Sequence, residues 1–411
     1  MPTRASTMAK RRRLAGWLTR AFAGATLVAL AGCTSSGLGL SSTPAPTPDI
    51  SAAPVPDVQS QPLSGPTVGE TVGAGPVRVG LVLPLTQNGA ASAIGVSMRN
   101  GAQLAIEESG LNDVTMMVVD DHGTPDGAAQ AGQAVVGAGA EIVLGPLLAA
   151  DVREVGRVAK AAGRPVIAFS TDEGVAQPGV YLLSFLIESY ADKAAEFAVS
   201  KGKKSFAILA PQSDYANIAV GEFQQAAQKL GARVVTVARY PAGQPQVGVQ
   251  ELASAPGGFD AVFIPEQAEG MPALATALQA SGVKAQILGT GVWNDPRVLR
   301  LPALQGAWFA APDNAGFSAF AQRYKARFNA EPLRLASLSY DAASLVAALA
   351  RTQGAQRFSP SVLTNPSGFN GVDGVFRFRP EGPNERGLAV MQVSGGMATV
   401  VAPAAQRFPG A

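Results

Sequence analysis

From Val77 onward the chain alternates apolar runs of strand length with stretches of helical periodicity, and no other feature constrains its fold as much. Residues 77–84 read VRVGLVLP, a mostly apolar run of strand length. Residues 94–108 then carry Ile94, Met98, Ala102 and Ala105 at helical spacing. Strand-like runs recur at 114–120, 142–145, 166–169, 206–210, 233–240, 261–265 and 286–289. Between most of them lie helical stretches that stop at glycine: 151–162 before Gly163, 217–230 before Gly231, and 271–281 before Gly282. Glycine there supplies the left-handed cap that ends a helix. Apolar strands alternating with helices predict an α/β fold of parallel sheets covered on both faces.

The repeat breaks at 181–188 and again at 306–312, and both breaks read as passages between two lobes. Two long helices follow, at 315–328 and 335–353. Phe317, Phe320, Tyr324 and Phe328 share one helical face and read as core. The tail, 374–378 and 388–401, alternates and turns at Gly395-Gly396, which predicts antiparallel strands and a closing hairpin.

The first 75 residues have a different character. Residues 1–32 hold six basic side chains (Arg4, Lys10, Arg11, Arg12, Arg13 and Arg20) and no acid; subtracting those six from the formal charge of +2 leaves −4. The apolar stretch 21–30 behind them is too short to span a bilayer, which takes roughly 20 residues, and the order of basic run, apolar run and small residues is that of a secretory signal. Leu30-Ala31-Gly32-Cys33 resembles the lipobox of bacterial lipoproteins, which implies lipidation of Cys33, the chain's single cysteine, and removal of residues 1–32. Residues 33–75 are rich in Pro, Ser and Thr, including Thr43-Pro44-Ala45-Pro46-Thr47-Pro48, and read as a disordered tether that contributes nothing to folding.

Composition excludes several classes of function. With 47% hydrophobic and 15% charged residues the chain is not disordered, coiled-coil or nucleic-acid-coating, and the mildly acidic remainder lacks the footprint of a nucleic-acid partner. One Cys and one His leave no internal disulfide and little room for imidazole-based catalysis. No GxxxxGKS or GxSxG occurs. The run Asp120-Asp121-His122-Gly123-Thr124-Pro125-Asp126 gathers carboxylates and the imidazole, but it reads as a strand end and a turn into the next helix, with too few ligands for zinc or calcium. Neither metal, cofactor nor enzymatic activity is expected.

VRVGLVLPLTQNGAASAIGVSMRNGAQLAIEE, the strand ending in Asp120-Asp121, EIVLGPLLAADV, RPVIAFST and FAILAPQSDYANIAVGEFQQAAQKLGARVV together resemble the type I periplasmic binding proteins of the leucine/isoleucine/valine-binding kind. The resemblance implies two doubly wound lobes joined by three crossings, with lobe 1 formed by 76–187 and 310–368, and lobe 2 by 188–309 and 369–405. It implies ligand in the cleft at the carboxyl ends of the strands. Ser170 and Thr171 match the family's hydroxyl pair and Tyr215 its aromatic residue, although Tyr215 also fits a cap on a surface turn. Gln87 follows the first strand, and Trp293 follows a strand end where it would line the cleft. The family's serine falls near Ala150 and its acid near Gly291; both are absent here, and Glu266, Asp295 or Asp214 are the candidate substitutes for the acid.

GPLL at 145–148, the lipobox and FNGVDGVFRFRPEGPNERGLAVMQV are also similar to the binding-protein-like domain of lipoproteins that activate penicillin-binding proteins. Two functions stay open at this point. One is a lipid-anchored, periplasm-facing receptor for an amino acid or related ligand, serving an ABC permease. The other is a peptidoglycan synthesis regulator that contacts a penicillin-binding protein through its surface.

Overall fold

The computed structural model describes residues 69–408, and Cys33, the signal and most of the tether lie outside the described residues. Lobe 1 begins with β1 (Glu70–Val72), β2 (Val77–Leu83) and the short ladder of β3 (Thr86–Gln87) with β4 (Ala90–Ala91). It continues through α1 (Ala93–Ser109), β5 (Val114–Asp120), α2 (Pro125–Gly137), β6 (Ile142–Leu144), α3 (Ala149–Ala161), β7 (Val166–Ala168) and β8 (Val180–Leu182). Its sheet runs β1-β5-β2-β6-β7-β8, parallel except where β1 lies antiparallel on β5.

Lobe 2 takes α4 (Ile187–Ser200), β9 (Ser205–Pro211), α5 (Asp214–Lys229), β10 (Arg233–Tyr240), α6 (Pro245–Ala253), β11 (Ala261–Phe263), α7 (Met271–Ser281), β12 (Gln286–Gly289), α8 (Pro296–Leu299) and β13 (Trp308–Ala311). The chain then returns to lobe 1 for α9 (Asn314–Phe328), α10 (Ala336–Thr352), α11 (Pro360–Leu363) and a small sheet of β14 (Phe369–Gly371), β15 (Gly374–Phe378) and β16 (Asn384–Arg386). Finally β17 (Ala389–Ser394) and β18 (Met397–Ala402) complete the lobe 2 sheet in the order β10-β9-β11-β12-β13-β17-β18.

The continuous apolar runs are explained by burial on both sheet faces. In VRVGLVL only Arg78 reaches solvent, and Leu81 and Leu83 pack under α1 and α10 while Val82 packs under α2 and α3. Lobe 2 repeats the arrangement, with Phe223 of α5 stacked on Phe263 and edge-on to Phe206 on the sheet face that α4 and α5 cover. On the other, Leu274, Trp293 and Phe309 fill the core.

Two boundaries differ from those expected. The third crossing falls between Arg386 and Ala389, not before Phe369, because Phe376 and Phe378 are buried in the lobe 1 core. Asn384 and the Ser184 backbone exchange two hydrogen bonds of 3.2 Å, which fastens β16 to the end of β8. An alternating strand fits either lobe equally well, so periodicity alone could not place this crossing. In addition, the C-terminal segment leaves β18 and returns to lobe 1, where Phe408 is buried 4.4 Å from the Arg377 guanidinium.

The body also starts earlier than the expected tether boundary at 75. Glu70, Thr71 and Val72 pair with Val118, Met117 and Met116 of β5, Val72 is buried in the lobe 1 core, and Glu70 binds Arg99 of α1 through contacts of 2.5 to 3.0 Å. Burying one valine is worth about 1.5–3 kcal/mol, and the strand also covers the open edge of β5. A body beginning at residue 76 should therefore melt below one beginning at residue 69, by roughly 2 kcal/mol of stability. Equal melting temperatures would show that β1 adds nothing.

Candidate functional site

The loops at the carboxyl ends of the parallel strands face the space between the lobes, and in lobe 1 they are held by carboxylates. Asp120, at the end of β5, accepts from the backbone N–H groups of Leu85, Thr86 and His122 at 2.8 to 3.2 Å and from the Thr86 hydroxyl at 2.5 Å. Burial opposes its ionisation, but these bonds outweigh it and hold the carboxyl below its ordinary range. His122 Nδ1 lies 3.0 Å from Asp120 and 2.8 Å from Thr86 Oγ1, so the imidazole completes this turn. Among the described residues no three His, Cys, Asp or Glu side chains gather as a metal site.

The residues singled out from sequence scatter around this space. Gln87 is exposed on β3 beside the Gly123 turn, Ala150 is exposed at the second position of α3, and Thr171 is exposed after β7. Ser170 is buried, and its Oγ accepts from the Asp172 N–H at 3.1 Å. Tyr215, in the first turn of α5, is half-buried with its hydroxyl 2.7 Å from Thr290 Oγ1. Burial pushes this phenol up to about 12 against the opposing bond from Thr290, and the charge of Glu188 adds to the rise.

Two expectations are corrected. Trp293 does not line the cleft: it is 0% exposed in the lobe 2 core, and its Nε1 donates to the Glu266 carbonyl at 3.1 Å. Glu266 is likewise committed, its carboxylate accepting from Tyr240 at 2.6 Å and from the Gln267 N–H at 2.8 Å. Position after a strand end fixes where a residue's backbone lies, but not which way its side chain turns. Asp295 caps α8 and pairs with Arg297, while Asp214 lies exposed at the start of α5. The acid missing at Gly291 has a steric counterpart, because a Cβ there would stand 2.4 Å from the Tyr190 ring.

Between the lobes lies an open cavity of about 680 Å³ beside the first two crossings. Lobe 2 contributes Tyr190, Gly291 and Asn294, the crossings contribute Phe185 and Asn314, and lobe 1 contributes Phe317 and Arg334. Asn294 and Asn314 bridge the lobes by reciprocal amide bonds of 2.8 and 3.3 Å. The Arg334 guanidinium stacks 4.2 Å from the Phe317 ring, is paired with the buried Asp373, and contacts Asn314 at 3.4 Å. Asp373 in turn accepts from Ser337 at 2.5 Å. A guanidinium held by a buried carboxylate and an aromatic face is pre-oriented to receive an anion in the same plane. Behind Phe185 lies a second, buried guanidinium, Arg386, 5.1 Å from that ring.

Residues 76–398 match the family model described as periplasmic binding protein. The chain belongs to the periplasmic binding protein family. Solved periplasmic binding proteins share its fold at low identity. A putative branched-chain amino acid ABC transporter protein from Rhodospirillum rubrum is 20% identical over 79% of this chain and 99% of that one, with a TM-score of 0.69. A branched-chain amino acid transporter substrate binding protein from Streptococcus pneumoniae, in complex with isoleucine, is 21% identical over 80% and 99%, with a TM-score of 0.56. A solute binding protein from R. palustris in complex with benzoate is 18% identical over 80% and 97%, with a TM-score of 0.57. No curated protein matches. At these identities the likeness extends to the fold and not to the ligand.

Sequence reasoning missed Arg334, Asn294, Asn314 and Tyr190. Arg334 sits in the short segment between α9 and α10, where nothing in EPLRLAS distinguishes it from a solvated arginine.

Several carboxyls of this periplasmic binding protein are buried with few donors. Burial pushes Asp121 up to about 7, against a bond from the Gly123 N–H, and the charges of Asp151 and Asp120 add to the rise. Burial alone takes Asp151 to about 6. A carboxyl whose folded pKa lies above its unfolded value of about 3.9 adds stability that is full below that value and is lost as pH climbs through the folded pKa. Stability should therefore decline between pH 4 and pH 7 through these groups. Asp121→Asn should raise the melting temperature at pH 8, by on the order of 2 kcal/mol of stability, while changing it little at pH 4. An equal effect at both pH values would contradict this origin.

Proposed function

We propose that this periplasmic binding protein is a lipid-anchored receptor that captures a small carboxylate between its lobes and presents it to an ABC permease. The observation that carries the reading is the Arg334 guanidinium, fixed by Asp373 and Phe317 in a cavity that draws its walls from both lobes. A ligand carboxylate would accept from Arg334 and from the Asn294 and Asn314 amides, while its apolar body packs on Phe185, Phe317 and Tyr190. Contacts to both lobes stabilise whichever arrangement brings them together, which is how ligand selects the closed form.

The ligand class follows from what the cavity lacks. Tyr190 occupies the space over Gly291 in which an acid would meet an amino acid's ammonium, and the rings of Phe185 and Phe317 line the remainder. An aromatic or apolar monocarboxylate suits these walls better than leucine, isoleucine or valine. The benzoate complex of the R. palustris protein shows that this fold holds such a compound. Anchoring rests on Leu30-Ala31-Gly32-Cys33 and is checked by membrane fractionation of Cys33→Ser. The second reading, a contact scaffold for a penicillin-binding protein, draws on the same loss of the amino-acid acid.

Thermal-shift titration with benzoate-type acids and with the three branched-chain amino acids separates these readings. An aromatic acid at one hundred times its dissociation constant should stabilise the protein by about 2.7 kcal/mol, and Arg334→Gln and Asn294→Ala should each weaken that shift. If neither class of ligand shifts the melting temperature and a penicillin-binding protein is captured from solubilised envelopes, the scaffold reading replaces the receptor.

A further inference from the structure

Arg386, at the end of β16, is a charged side chain buried without a partner. It is 8% exposed, and none of its three guanidinium nitrogens meets an acceptor among the described residues. Its contacts are aromatic: the guanidinium lies 5.5 Å from the ring of Phe376, which it faces across the β15–β16 ladder, and 5.1 Å from the ring of Phe185. Asp341 is a buried carboxyl that feels this charge, but it is a poor counter-ion. Its Oδ1 accepts from the Val372 N–H at 2.7 Å, and neither of its oxygens hydrogen-bonds the guanidinium. Burial pushes Asp341 up to about 7, against the opposing charge of Arg386. Asp373 is already engaged by Arg334 and Ser337. A guanidinium carries five donors and stays charged, so withholding both water and an acceptor from it is costly.

Phe185 joins this guanidinium to the cavity. Its half-buried ring lines the cavity wall, and both Arg334 and Arg386 lie within 5.6 Å of it. Tyr190, on the same wall, feels both cations: burial raises its phenol, and the charges of Arg334 and Arg386 oppose that rise. We infer that Arg386 is a second anion seat behind the Phe185 ring, and that the ligand is an apolar or aromatic dicarboxylate whose two acids are taken by Arg334 and Arg386. The inference rests on the receptor reading above and extends it. A monocarboxylate satisfies Arg334 alone, whereas a second acid gives the buried guanidinium the acceptor that the chain withholds. The Phe185 ring turns about its side-chain torsions into the open cavity, uncovers Arg386 and packs on the ligand's apolar body. Arg300 also lines the cavity, but it is exposed, so water already satisfies it and an ion pair there gains little. Arg386 is dehydrated before any ligand arrives, so pairing it removes a cost that the empty protein already carries.

The test is isothermal titration calorimetry of the full mature chain in detergent with benzoate and with phthalate, isophthalate and terephthalate, each beside its own monomethyl ester. At least one diacid should bind about tenfold or more tightly than its monoester, which matches it in shape and lacks only the second charge. Arg386→Met should bring that ratio close to one and Arg386→Lys should keep part of it, with circular dichroism verifying the fold of each. The wild-type ratios decide the matter even where a variant fails to fold. Benzoate bound, with every diacid no tighter than its monoester, would overturn the second seat and leave the receptor reading standing. Binding of neither benzoate nor any diacid or ester would overturn both. A ratio that survives Arg386→Met but falls in Arg300→Gln would place the second acid at Arg300 and overturn the assignment to Arg386.

Discussion

The Arg334–Asp373 ion pair is the interaction around which the region between the lobes is organised. Asp373 lies in the turn between β14 and β15 and is 1% exposed, while Arg334 lies just before α10. Their union, with Ser337 as a second donor, ties the small sheet to the start of a core helix close to where the chain passes between lobes. Removing Arg334 would leave the buried Asp373 carboxylate without its counter-ion, at a cost of about 3–5 kcal/mol. The same pair fixes the direction of the guanidinium and so gives the cavity an oriented cation. Phe185, in the first crossing, lies between Arg334 at 5.6 Å and Arg386 at 5.1 Å, so a ring from the crossing is held by two cations of lobe 1.

Much of this architecture was legible in the sequence, and the exceptions share a cause. Runs such as VRVGLVL and SFAILAP are apolar because both faces of each sheet are covered, and that constraint writes itself into consecutive residues. Phe320 and Tyr324 declared their helix face for the same reason. The strand at Glu70–Val72 is too short to show a period and follows a proline-rich stretch, so its sequence does not set it apart from the tether. The third crossing is not legible, because the alternation of Phe376 and Phe378 states that a face is buried without stating against which lobe.

The site was less legible. Ser170 and Tyr215 do lie at strand ends, and Tyr215 meets Thr290 across two such ends. Trp293 and Glu266 occupy equivalent places but turn inward, because the lobe 2 core needs a large ring and the buried Tyr240 hydroxyl needs an acceptor. Those demands come from residues 27 and 26 positions away. Arg334 gains its meaning only from Asp373, 39 residues later, and from the ring of Phe317.

If the space between the lobes is the binding site, its ligand must draw them together. Spin labels on Arg157→Cys in α3 and Gln224→Cys in α5, introduced with Cys33→Ser, would report the lobe-to-lobe distance by pulsed dipolar spectroscopy. The distance distribution should narrow and shift inward on saturation with an aromatic carboxylate, and the shift should be lost in Arg334→Gln. A distribution that stays unchanged under a ligand shown by calorimetry to be bound would contradict closure about these crossings.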